Sequence, residues 1–325
     1  MKELIKELTE AYGPSGDEAN IGNIIFEKIK PFADYISFDK MGNLIARKVG
    51  PNDKIMLSAH MDEIGVIVTS IDENGFLRFS NIGGLSPFTL IGERVLFKNG
   101  TIGVFGKEKL DNIKDLKFNK MYIDIGVSSK EEALEKVNIG DAASFYRICD
   151  MSSNYIISKS LDNRVGCAIL IQVLKQLKQT KYDTYFVFTV QEEVGLRGAK
   201  TAAFGINPDL AISVDVTPTG DTPEAPKKAI DLSKGPAIKI IDRSIICHPK
   251  VREQLITAAK QRNIPYQLEV TETGGTDVGA IHVTRAGIPS GGISIPCRYI
   301  HTSSEMVHLK DIKRSVDLLL AVLQD

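Results

Sequence analysis

Tryptophan is absent from this chain of 325 residues, and aromatic residues make up only 7% of it. Grooves that grip sugars are commonly walled by aromatic platforms, so that lack weighs against carbohydrate as a ligand. Cysteine is scarce as well. Cys149, Cys167, Cys247 and Cys297 stand alone with no CxxC pair, which excludes a zinc ribbon or a disulfide framework and predicts reduced core thiols in a cytoplasmic protein. Neither sign of charge dominates: 40 basic against 41 acidic residues, with a pI near 6.6, give no electrostatic footprint for nucleic acid or an anionic membrane. No apolar run reaches the roughly 18 residues of a membrane span, and Met1–Glu7 reads as an amphipathic helix start rather than a leader. Repeats and low-complexity tracts are also missing. The Gly-rich turn Thr273-Gly274-Gly275-Thr276-Asp277 lacks the GxxxxGK[ST] pattern of a phosphate loop and reads equally as a plain turn or a substrate loop.

The residues that are present divide into three stretches. Residues 1–12 predict a helix broken at Gly13-Pro14, and Ser15-Gly16-Asp17-Glu18 predicts a capping box opening a second helix toward Pro31. A hairpin follows, with strands over 35–38 and 44–48. Ile55, Met56, Leu57 and Ala59 then form an apolar run that ends abruptly in His60-Met61-Asp62-Glu63. From 66 to 157 short β-rich runs alternate with Gly and Asn, interrupted by one helix over 130–136, as in a small barrel or sandwich. From 158 a helix begins at Leu161-Asp162-Asn163-Arg164. Buried strands over 184–190 and 210–214 then alternate with helices, two of them over about 250–262 and 310–323. We therefore expect a catalytic unit of residues 1–65 plus 158–325, a mixed α/β sheet sandwiched by helices, with 66–157 an inserted β-barrel-like unit for assembly.

Polar groups at the ends of apolar strands are costly unless they have a use, and in open α/β sheets ligands bind at strand carboxyl ends. His60 with Asp62, Glu192 with Glu193, and Asp215 all occupy such ends. Asp162 sits at a helix start, and His301 follows the strand-like 292–295. Two imidazoles with three or four carboxylates suit two divalent ions, zinc first and cobalt or manganese next. A pair of ions about 3.5–4 Å apart needs a bridging carboxylate, and a spare carboxylate can serve as general base. One member of the Glu192-Glu193 doublet can ligate while the other moves protons, and Asp62 can steady His60. His248, His282 and His308 read as structural or surface residues. The loop Thr217–Pro226 is a surface excursion by default, placed where it can edge a pocket.

With these residues aligned, the chain resembles the M42 family of metallo-aminopeptidases, the tetrahedral aminopeptidase group that includes enzymes labelled glutamyl aminopeptidase and, historically, cellulase M. The stretches carrying the resemblance are Ala59-His60-Met61-Asp62-Glu63, Leu161-Asp162-Asn163-Arg164, Gln191-Glu192-Glu193-Val194-Gly195-Leu196-Arg197-Gly198, Val214-Asp215, Gly274-Gly275-Thr276-Asp277 and Arg298-Tyr299-Ile300-His301. Thr302-Ser303 stands where Ser-Pro is common in the family. The resemblance implies that Asp162 bridges two metals, that His60 and Asp215 complete one site, and that Glu193 and His301 complete the other. It further implies Glu192 as general base, Asp62 as the residue orienting His60, and the insertion as a dimerisation domain whose dimers build into a hollow dodecamer.

The expected activity is removal of N-terminal residues from short peptides. Three rivals stay open at this point. A glycosidase would use a carboxylate pair roughly 5–10 Å apart and would survive chelation. A non-catalytic metal-dependent peptide-binding or assembly protein would bind metal without hydrolysis. A related carboxypeptidase or deacylase would accept substrates without a free amine.

Overall fold

The computed structural model describes residues 1–225 and 229–324. Its centre is a mixed sheet of 11 strands. Three strands run parallel beside one another: Tyr182–Thr189 pairs with Asn52–His60, which pairs with Leu210–Pro218. A fourth parallel strand, Ser290–Arg298, flanks Leu210–Pro218 on its other side. Sequence explains why these four are central. The Asn52–His60 strand is buried on both faces from Ile55 to His60, as its unbroken apolar run predicts for a sheet covered on both sides. Ile55, Leu57 and Ala59 pack with Ile5, Leu8, Ile169 and Leu319 from one helix layer. Met56 points the other way, against Ala199, Ala202, Ala203 and Ile281. Each of the Ile, Leu and Met side chains among them contributes about 1.5–3 kcal/mol when fully buried.

Helices Lys2–Glu10, Ala19–Ile29, Leu161–Gln176 and Leu309–Gln324 supply the first layer, and Arg197–Ile206 with Asp277–Ile281 the second. The expected hairpin adds antiparallel strands Tyr35–Phe38 and Leu44–Lys48 at one edge. The strand carrying Asp215 does not stop there but pairs on to Pro218.

Six strands between Gly65 and Phe145 close into an antiparallel barrel. Val66, Val68, Leu77, Phe79, Phe105 and Phe145 fill it, with Phe79 and Phe105 edge to face at 5.1 Å. The chain is back in the large sheet by Asp150: Asp150–Met151 and Tyr155–Ser158 pair at its far edge, so residues 150–157, read from their texture as part of the insertion, lie in that sheet. No helix among the described residues is long and apolar enough to cross a membrane.

The capping box expected at Ser15 to Glu18 does not form. The helix begins at Ala19 with no side-chain cap. Ser15 instead donates its hydroxyl to Asp62 Oδ2 at 2.6 Å, and the Glu18 carboxylate accepts the Gly16 and Gln191 N–H groups at 2.7 and 3.1 Å. A buried carboxylate across the molecule outcompetes a local amide for the serine. Pro226, the last residue of the loop that follows Asp215, lies outside the described residues.

Candidate metal centre

Parallel pairing puts the carboxyl ends of the four central strands at one edge, and the polar residues meet there. His60 ends its strand, 1% exposed. Its Nδ1 lies 3.2 Å from the Asp62 backbone carbonyl. A carbonyl only accepts, so Nδ1 carries a hydrogen and Nε2 is the nitrogen turned toward the site. That Nε2 is 3.0 Å from Asp162 Oδ1, 3.7 Å from Asp215 Oδ1 and 4.0 Å from Glu192 Oε2. On the other side, His301 Nε2 is 3.4 Å from Asp162 Oδ2 and 3.3 Å from Glu193 Oε2. The two oxygens of Asp162 therefore face different imidazoles.

Local backbone geometry aims these groups. After Thr189 the chain turns through Gln191 at φ 54°, which redirects the doublet so that both glutamates reach inward. Tyr299 and His301, at φ 61° and 62°, curl the end of Ser290–Arg298 back over the site. Asp162 and Asn163 depart from helical geometry inside Leu161–Gln176, so Asp162 is presented from a loop-like first turn. Asp62 does more than steady His60. Its Oδ1 accepts the Glu192 N–H at 3.0 Å, and its Oδ2 accepts the Glu193 N–H at 3.2 Å as well as the Ser15 hydroxyl. This carboxylate fixes the backbone of the doublet.

Charge at the centre is lopsided. Asp162, Glu192, Glu193 and Asp215 converge on two imidazoles, and among the described residues none of the four pairs with a lysine or arginine. Burial, joined by the neighbouring carboxylates, holds the Glu192 and Asp215 carboxyls well above the ordinary range and raises Glu193. Burial would likewise raise Asp162, but its contacts with His301 and His60 prevail and lower it. Burial alone would depress both histidines. The surrounding carboxylates outweigh it, lifting His60 well above its usual value and His301 to about 11. Two sets of donor atoms each lie within 4.8 Å of one another: His60, Glu192 and Asp215, and His60, Asp162 and Glu193. Nitrogen and carboxylate donors with surplus negative charge are what divalent cations of borderline softness require.

Every site residue expected from sequence thus lies in this cluster. His248, His282 and His308 lie elsewhere. His248 caps the helix Pro249–Gln261, His282 contacts the Val278 carbonyl, and His308 stacks edge-on against Tyr155. Sequence reading missed three features. Glu63 lies fully buried against Lys159 Nζ at 2.5 Å and also contacts Ser160 and Arg164, so that the motif beginning at His60 ends in a buried ion cluster. Asp277, from the Gly-rich turn, is buried behind the centre, accepts the Thr189 hydroxyl at 2.6 Å, and is raised by burial to about 6. Glu305 is buried beneath Asp162 and His301. Glu63 had a signal as a third polar residue at a strand end, and Asp277 as the end of a Gly-rich stretch that carries part of the family resemblance; Glu305 had none.

Comparison with known proteins places the sequence and the fold. The family profile for M42 glutamyl aminopeptidases matches residues 42–318. A putative aminopeptidase of Acetivibrio thermocellus is 56% identical over 98% of this chain and 97% of its own. Among solved structures, an aminopeptidase of the archaeon Desulfurococcus kamchatkensis superposes with a TM-score of 0.96 at 40% identity, over 99% of this chain and 94% of that one. The Pyrococcus horikoshii TET1 peptidase, which can assemble into a tetrahedron or a large octahedral shell, gives 0.90 at 34% identity over 100% and 99%. A further TET1 structure with a dodecamer in its asymmetric unit gives 0.92, also at 34% and over 100% and 99%. The fold and the family match define a hydrolase of the α/β sheet type whose centre carries candidate metal-binding groups. The chain belongs to the M42 family of aminopeptidases.

Proposed function

We propose that the chain is a dinuclear, metal-dependent aminopeptidase that releases N-terminal residues from short peptides. The observation that carries this reading is Asp162, whose Oδ1 and Oδ2 lie 3.0 and 3.4 Å from the Nε2 atoms of His60 and His301. A carboxylate so placed suits a bridge between two cations. His60 and Asp215 would complete one site, and Glu193 and His301 the other. Zinc fits this donor set first, with cobalt or manganese as alternatives. Bound cations would supply Lewis acidity toward the scissile carbonyl and make a water acidic enough to attack it. The chain's own part is to place and move the proton. Glu192, nearly buried at the centre with its Oε2 4.0 Å from His60 Nε2, would take a proton from the water and pass it to the leaving amine. Asp62 keeps Glu192 in reach through its backbone. Ligand carboxylates such as Glu193 and Asp215 would also hold the substrate's free ammonium, which favours cleavage at the first residue over internal cleavage.

Relatives that form closed shells, together with exposed Phe88, Ile91, Ile102 and Val104 on the barrel region, support assembly of this chain into dimers and then a dodecamer. The four cysteines are free and buried, which suits a reducing cytoplasm. The test is a panel of aminoacyl-nitroanilides offered to chelator-treated protein, with zinc, cobalt or manganese added back. We expect no turnover without metal, recovery with at least one of them, and no cleavage of N-acetylated substrates. Hydrolysis that survives chelation, or cleavage of the acetylated series, would overturn the reading.

A further inference from the structure

Glu305 is 1% exposed and no lysine or arginine among the described residues forms an ion pair with it. Its two oxygens are nonetheless both engaged. Oε2 accepts the backbone N–H of Asp162 at 2.8 Å, and Oε1 accepts that of His301 at 2.9 Å. Burying a carboxylate costs several kcal/mol unless strong hydrogen bonds offset it, so this acid needs a reason. Closing the turn from His301 to Glu305 would require only one of the two bonds. The other reaches 143 residues back to Asp162, the residue that faces both imidazoles.

We propose that Glu305 is a positioning residue for the metal centre: one buried carboxylate holds the bridging Asp162 and the ligand His301 by their main chains, so that the half of the site they form keeps its shape before any cation arrives. This rests on the reading of Asp162 and His301 as ligands. The side chain must be an acid because only a carboxylate presents two acceptors and no donor to two N–H groups. Glutamine would turn an NH2 toward one of them. Asp62 performs the matching task for Glu192 and Glu193. The main chains of four converging residues are thereby pinned by two carboxylates that need not touch metal themselves.

The test compares Glu305→Gln with the parent protein by zinc titration of the chelated forms, followed by steady-state kinetics on an aminoacyl-nitroanilide. We expect the parent to take up two equivalents. In the variant both equivalents should bind more weakly, because Asp162 serves both, but unequally: the one that also needs His301 should lose about 10–100-fold, the usual effect of losing an outer-shell partner, and the other clearly less. At saturating zinc, kcat should fall with KM little changed. Unchanged affinity for both equivalents would overturn the proposal, as would equal weakening of both. Parent protein that takes up no zinc would sink the functional reading instead. A second measurement needs neither zinc nor a variant: residue-resolved amide exchange of the metal-free parent should show the Asp162 and His301 N–H groups protected. Fast exchange at both would overturn the role of Glu305 even if the variant fails to fold.

Discussion

The Asp62 carboxylate accepts the backbone N–H of Glu192 at 3.0 Å. A residue two places after the first histidine therefore fixes the main chain of one in the turn that follows another strand, 130 positions along. Proton transfer needs this kind of support, because a general base must lie within hydrogen-bond reach of the proton it takes. Glu192 has no side-chain hydrogen bond of its own in the described structure, so its placement depends on Asp62.

Replacing Glu192 with Gln should lower turnover by about 10²–10⁴-fold, the usual worth of general acid–base catalysis, while metal content stays at the parent level. Elemental analysis beside steady-state kinetics checks both halves. Full activity would remove Glu192 from the role.

Gly84 offers a steric test of His301. A Cβ there would lie 2.7 Å from His301 Nδ1 and 2.9 Å from its Cε1, and the ring, with its side chain 36% exposed, has room to swing outward. Gly84→Ala should therefore displace the imidazole and cost on the order of 10²-fold in kcat, as expected for about 1 Å of misplacement in a reacting array. The thermal midpoint of the metal-free protein should move little. A large drop in that midpoint would show that the fold was damaged rather than the site.

The cluster of Glu63, Lys159 and Arg164 predicts a stability effect. All three are buried, and Glu63 is the carboxylate that Lys159 and Arg164 share. Glu63→Gln leaves two buried cations without that counter-charge, and the cost should be about 3–5 kcal/mol. Urea unfolding of the metal-free protein measures it. A loss below about 1 kcal/mol, the worth of an exposed pair, would mean that the buried charges are compensated elsewhere.

Asp221 sets a pH dependence. Burial would raise its carboxyl, but paired hydrogen bonds from Arg298 Nε and Nη2 at 3.0 and 2.8 Å prevail and hold it at about 2, below the ordinary 3.8. A depressed folded-state pKa means that the pair stabilises the fold above about 3.8, and that this contribution fades as pH falls toward 2. Asp221→Asn should accordingly be less stable than the parent near neutrality, with the gap closing on the acid side across that window. Thermal midpoints of both proteins against pH check it. A gap that widens on acidification would reverse the sign and refute the assignment.

Much of this was legible in the sequence because strands covered on both faces leave unbroken apolar runs, and the polar residues that interrupt them stand out. His60, Asp62, Glu192, Glu193, Asp215 and His301 were all found that way or through the family resemblance. What could not be read depends on partners remote in the chain. Ser15 looked like a helix cap because its local spacing was right, and only the fold brings Asp62 to its hydroxyl. Glu305 sits at the start of a short strand, and one of its two partners comes from 143 residues away. The stretch 150–157 shares the short-strand texture of the barrel, yet Tyr155–Ser158 pairs with Glu305–His308 and Asp150–Met151 folds back on it to complete the far edge of the large sheet.

The barrel does not hang clear of the chemistry. Just past its Leu77–Ile82 strand, an added methyl on Gly83 would press within 3.1 Å of Glu193 Oε2, and one on Gly84 would collide with His301 at 2.7 Å. Anyone paring this chain to a minimal enzyme by cutting away the insert would strip one face from the reaction chamber, and the shortened protein should fold around a gaping, solvent-washed centre.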